Sequence, residues 1–105
     1  MFERILLPLD GSELAEIAIP YAEELASGLG SEVVLYHVRR HEHADQQRMH
    51  QMYLDRLAEV MELNIERGQK EKAPVKISAQ VEGGEPAENI CNFVVKNKID
   101  LLVIG

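Results

Sequence analysis

Four short apolar runs, at 5–9, 33–38, 75–81 and 101–104, alternate with three stretches whose apolar residues recur at helical spacing. A chain that reads β-α-β-α-β-α-β has few ways to bury its strands. Parallel strands joined by helical crossovers must be covered on both faces, which predicts an open, mainly parallel α/β sheet. The first helical pattern follows Ser12, which suits an N-cap, and carries Leu14, Ala18, Tyr21, Ala22, Leu25 and Leu29 at helical spacing. Pro20 is expected to bend that helix near its middle, and Gly28 and Gly30 to stop it. The second helix is expected over about 45–67, with Leu54, Leu57, Met61 and Ile65 on one face. The third opens at Glu85-Pro86, a favoured first-turn position for proline, and runs to about Asn97. No linker, repeat or low-complexity tract interrupts the pattern, so residues 1–105 read as one domain.

The strands are not alike. Val33-Val34-Leu35-Tyr36 and Leu101-Leu102-Val103-Ile104 are continuously apolar, as strands covered on both faces are. The third, Val75-Lys76-Ile77-Ser78-Ala79-Gln80-Val81-Glu82, alternates, so it belongs at an edge with one face toward water. The first strand is then interior, which makes Pro8 awkward, because proline has no N–H for a central ladder. The conflict resolves if Pro8 lies where neighbouring strands diverge. Divergence at the carboxyl end of an interior strand is the switch point at which open α/β sheets take ligands. The stretch "ILLPLDGSELA" leads from that strand into Asp10-Gly11-Ser12, so Asp10 is expected at the mouth of a crevice. The plainer alternative is that Asp10 only organises the strand-to-helix turn.

A formal charge of −7 with scattered basic residues excludes a nucleic-acid footprint, which needs a basic stripe. With 46% apolar and 28% charged residues the chain reads as a soluble globular protein. No apolar run approaches the ~20 residues of a membrane span, and Met1-Phe2-Glu3-Arg4 leads directly into the first strand, so a cytoplasmic location is expected. Cys91 is alone, which rules out an intramolecular disulfide; its neighbours Ala87, Ile90 and Val94 suggest a buried small hydrophobe.

Other constellations carry less. His37, His41, His43 and His50 lie close in sequence, but no carboxylate or cysteine completes a metal site at recognisable spacing, so no protein metal is expected. Gly83-Gly84 before Glu85-Pro86 reads as a tight turn that leaves its backbone available to the crevice rim. Met49, Met52 and Met61 read as packing residues or an adaptable surface. A dinucleotide site would need G-x-G-x-x-G after the first strand, a receiver domain an acidic pair there, and a flavodoxin-like loop more hydroxyls than Ser12. No nucleophile–base–orienter set is visible, so catalysis is not expected.

Together "RILLPLDGSELA", "EVVLYHV", "VEGGEPAENI" and "IDLLVIG" resemble, in order, the universal stress protein A family. The likeness covers the whole chain apart from the second helix. It implies an adenine-nucleotide α-hydrolase-like sheet of order 3-2-1-4-5, with the first two helices on one face and the third on the other. Some members bind ATP between the first and fourth strands, and others do not. The resemblance places Pro8 and Asp10 along that crevice, Val38 with backbone groups at the adenine edge, and Gly105 at the start of the phosphate turn. Ser12 joins them by its place at a helix start. A carboxylate does not attract phosphate directly, so Asp10 would act on ribose hydroxyls or through a nucleotide-bound Mg²⁺. The glycine-rich phosphate segment, last helix and fifth strand of the family would follow Gly105. The expectation is therefore a stress-response regulator binding ATP or a related adenine nucleotide. The alternative is a non-nucleotide-binding dimeric interaction module. An apolar fourth strand with no neighbour invites another chain, so this species is expected to belong to a longer protein or to depend on a partner, such as a homodimer.

Overall fold

The computed structural model describes residues 3–9, 17–39, 44–68 and 75–103. The elements run β1 (Arg4–Pro8), α1 (Ala18–Leu29), β2 (Glu32–Arg39), α2 (Ala44–Gly68), β3 (Ile77–Gly83), α3 (Pro86–Lys96) and β4 (Leu101–Leu102). The strands form one parallel sheet in the order β3-β2-β1-β4. The alternating third strand is at an edge and the first is interior, as its sequence required.

Side-chain alternation decides which helix covers which face. Ile5, Leu7, Val33, Leu35 and Ile77 point to one side, where they meet Ala18, Ala22 and Ala26 of α1 and Leu54, Ala58, Met61 and Ile65 of α2. Leu6, Val34 and Tyr36 point to the other, where Phe93 of α3 covers them. The Tyr36 and Phe93 rings lie 4.6 Å apart.

Three expectations need correcting. The residues of α1 that face the sheet are its alanines, spaced four apart, while Tyr21 and Leu25 are exposed. Small side chains let the helix sit close to the strands, and that close approach turns the bulkier row outward. Pro20 lies in the first turn of the described helix, where a missing N–H breaks no intrahelical bond, rather than at a central bend. Cys91 is exposed, not buried. The sheet-facing row of α3 is Ile90, Phe93 and Val94, whereas Cys91 continues into the exposed Val95 one turn on.

The described α1 begins at Ala18, with Ile17 at its cap and no side-chain cap bond, while Ser12 lies outside the described residues; two other helix ends follow their sequence signals. Gly30 adopts φ 67° and its N–H donates to Ala26 O at 2.8 Å, closing α1. Pro86 opens α3 in its first turn. Gly84 adopts φ 140°, and a Cβ there would collide with the Asn89 carboxamide, which itself donates to Gly83 O at 3.0 Å. The glycine pair is a packed turn. Val75 precedes the β3 ladder yet is buried in the core.

Candidate functional site

Three strand ends converge at the carboxyl edge of the sheet, and they are held unequally. β1 pairs with β2 as far as Pro8 opposite Tyr36, and Leu9 N donates to Tyr36 O at 2.8 Å. On its other side, among the described residues, β1 pairs with β4 through Ile5–Leu101 and Leu6–Leu102, followed by Val103 N to Leu6 O at 3.0 Å. Backbone groups alternate sides along a strand. Since Leu6 faces β4, Pro8 does too, and its ring nitrogen stands beyond the last described pair of that ladder.

The same alternation positions Val38. Tyr36 O faces β1, so the N–H and C=O of Val38 point to that side as well, two residues past the last β1–β2 pair. Pro8 and Val38 are both half-buried and share the α3 face of the sheet with Leu6 and Tyr36. The register therefore sets Pro8 and Val38 on the same face of the sheet, Val38 two residues beyond the Tyr36 that pairs with Pro8; Asp10, Ser12 and Gly105 lie outside the described residues, as do His41 and His43.

Two contacts at this edge escape any reading of spacing. His37 Nδ1 lies 2.9 Å from Leu9 O. A carbonyl only accepts, so Nδ1 carries the hydrogen and ties the tip of β1 to β2 through a side chain. The ring of His50, from α2, meets His37 edge-on, with centroids 4.2 Å apart and planes at 71°. One histidine is in a strand and the other in a helix, so no local pattern links them.

On the opposite face, the Tyr36 hydroxyl donates to Glu82 Oε2 at 2.7 Å and Gln80 Nε2 donates to Glu82 Oε1 at 2.7 Å. Burial, then the Glu82 carboxylate, push the Tyr36 phenol well above its ordinary range, so it stays a protonated donor. Beside it lies an open groove of about 270 Å³ between β3 and α3, lined by Gln80, Glu82, Asn89, Asn92, Phe93 and Lys96 among others. That groove is bounded by the β3 edge, away from the β1–β4 seam.

The amino end of the seam is closed by Asp100. Its Oδ2 accepts from Glu3 N at 2.8 Å and Arg4 N at 2.9 Å, while its own N–H donates to Arg4 O at 3.0 Å. Arg4 Nη1 donates to Asn97 O at 2.7 Å, and its Nε lies 3.6 Å from Glu32. The backbone N–H groups of Arg4 and Glu3 hold the Asp100 carboxyl below its usual value. Among the described residues no group of three or more His, Cys, Asp or Glu is placed to hold a metal ion, and no helix is long and apolar enough to cross a membrane.

Comparison with known proteins supports the same architecture. A universal stress protein family protein from Burkholderia pseudomallei superposes with TM-score 0.69 at 19% identity, covering 96% of this chain and 79% of that one. A universal stress protein solved in complex with cAMP gives TM-score 0.70 at 14% identity, covering 98% and 75%. UspA from Lactobacillus plantarum gives 0.64 at 19%, covering 97% and 75%. Likeness at these identities establishes the fold. No curated protein matches the sequence. The universal stress protein family model matches residues 1–105, and the chain belongs to that family.

Proposed function

We propose that this protein is a stress-response regulator that binds ATP or a related adenine nucleotide where β1 and β4 part. The observation that carries the reading is the β1–β4 ladder. Among the described residues its last pair is Leu6–Leu102, with one further bond from Val103, while β1 continues along β2 to Pro8 and Leu9. A notch bounded by an interior strand end is where open α/β sheets take ligands. In this reading Val38 offers its outward backbone N–H and C=O to the adenine edge, which a peptide can match in both hydrogen-bond senses. Pro8 presents an apolar wall that asks for no hydrogen bond. Asp10 acts on ribose hydroxyls or through a nucleotide-bound Mg²⁺; Ser12 and Gly105 supply polar groups toward the phosphates. The cAMP complex of a structural neighbour supports an adenine ligand as a chemical class. The role is binding and reporting in the cytoplasm, not turnover.

A second reading, an interaction module without nucleotide, draws on a different observation. Ile17, at the cap of α1, and Tyr21 and Leu25 within it expose an apolar row, and Leu102 is exposed on the β4 edge. Equilibrium dialysis with ATP and Mg²⁺, beside Asp10→Ala, separates the two. The first reading expects saturable binding that weakens at least tenfold in the variant. No binding, or binding unchanged by the substitution, favours the second.

A further inference from the structure

The groove between β3 and α3 is lined by two rows of polar side chains, one from each element. Strand alternation puts Gln80 and Glu82 on the α3 face, about 7 Å apart along β3, since they stand beside Tyr36 and Val38 in the register. At 100° per residue, Asn89, Asn92 and Lys96 of α3 fall within about 60° of one another. Phe93 lies between the rows, nearly buried, with its ring against the fully buried Tyr36.

Part of this lining is held in place before any ligand arrives. The Tyr36 hydroxyl and the Gln80 carboxamide each donate to one oxygen of Glu82, at 2.7 Å. A carboxylate on an ordinary solvated rim needs no buried phenol to orient it. Here both oxygens are fixed, and each keeps a lone pair for a further donor. Asn89 is fixed as well, its Nδ2 donating to Gly83 O at 3.0 Å. Asn92 and Lys96 are exposed and line the opening on the helix side.

The ligand class follows from what such a groove rejects. At about 270 Å³ it falls below the roughly 300–1,000 Å³ of sites for drug-sized molecules, so it is too small for a nucleotide and large enough for one small ring. A polar lining offers little to an apolar ligand. Glu82 and Lys96 cancel in charge: a phosphate would face the carboxylate, and a simple cation would face the ammonium. A zwitterion would satisfy both charges but leave the carboxamides idle. A neutral molecule rich in hydroxyls uses them all, because a hydroxyl both donates and accepts, and one carboxamide serves two adjacent hydroxyls in opposite senses. The C–H groups on the ring of such a molecule suit the electron-rich face of an aromatic side chain.

We propose that the groove between β3 and α3 binds a neutral cyclic polyol of monosaccharide size, with Glu82, Asn89 and Asn92 on its hydroxyls and Phe93 against its ring. The groove is open to water, so affinity is low, with a dissociation constant on the order of 1 mM. This inference does not rest on the nucleotide reading, which uses the β1–β4 seam.

Titration of the isotopically labelled whole chain with D-glucose and with myo-inositol, followed through backbone and carboxamide N–H signals, tests it. The expected result is saturable shifts at Gln80, Asn89 and Asn92 with at least one of the two, while Leu9 and Val103 stay unmoved. Sodium phosphate and glycine, the anionic and zwitterionic probes, should leave the groove signals in place at the same concentrations. Asn92→Leu and Glu82→Gln should each weaken polyol binding about fivefold, the loss expected for one or two hydrogen bonds. Glu88→Ala, on the same helix but outside the groove, should not. Circular dichroism checks that each variant folds, and the exposed Asn92 carries the comparison if Glu82→Gln does not. No saturable shift with either polyol up to about 0.1 M, where a millimolar site is filled, would overturn the proposal. So would glycine or phosphate binding as tightly as the polyol, or polyol binding unchanged by Asn92→Leu.

Discussion

The two ends of the β1–β4 seam are built in opposite ways. At the amino end, Asp100 takes two backbone N–H groups of β1, returns its own to Arg4 O, and Arg4 reaches Asn97 O. At the carboxyl end, described pairing stops at Leu6–Leu102, and the next β1 residue facing β4 is a proline. Among the described residues, the side chain that reaches the tip of β1 comes from the other flank, where His37 holds Leu9 O. A seam fastened at one end can part at the other without losing register. In the proposed reading, the end without that fastening is where a ligand would meet the strand backbone.

The largest expected effect comes from the last paired residue. Leu6 is fully buried between the sheet and α3. Leu6→Ala removes a core side chain and should cost about 2–5 kcal/mol in chemical denaturation. A loss below about 1 kcal/mol would mean that the upper seam is already loosely packed. Next comes the lower fastening. Asp100→Ala deprives two N–H groups of their acceptor and should lower the melting temperature measurably, though less than Leu6→Ala. Its pH signature follows from the lowered carboxyl value. A carboxyl depressed in the fold contributes stability above its unfolded value, near 3.9, and loses it as pH falls through the folded one. The wild-type advantage over Asp100→Ala should therefore shrink in acid, and an advantage constant down to that range would contradict the lacing. The smallest effect is at the upper end. If the nitrogen of Pro8 has no β4 partner, Pro8→Ala adds no bond and changes stability by under about 1 kcal/mol, chiefly through the freer unfolded chain. Stabilisation by the variant would reveal a waiting acceptor and a closed seam.

Much of this geometry was legible in the chain, and for stated reasons. Alternation at 75–82 against continuous apolarity at 33–36 identified edge and interior strands, because each strand's pattern records how many of its faces are covered. The misfit of Pro8 in an interior strand pointed to the end of a ladder. Long-range side-chain fastenings were not legible. Asp100 reads as an ordinary polar residue before a strand, and nothing local joins it to residues 3 and 4. His37 and His50 meet only because a strand end and a helix turn are brought together by the fold. Cys91 was misplaced because Ala87, Ile90 and Val94 surround it in sequence, yet only the latter two share the sheet-facing side. In α1 the size of the alanines, not their hydrophobicity, decided which row turns inward. Hydrophobic periodicity identifies a stripe but does not rank two stripes on one helix.

The most direct test of the seam is a titration of the isotopically labelled protein with Mg²⁺-ATP, followed through backbone amide shifts. The account predicts saturable shifts at Leu9, Val38 and Val103, with Glu3, Arg4 and Asp100 unmoved. Shifts confined to the groove around Gln80, Asn89 and Asn92, or none at millimolar nucleotide, would contradict it.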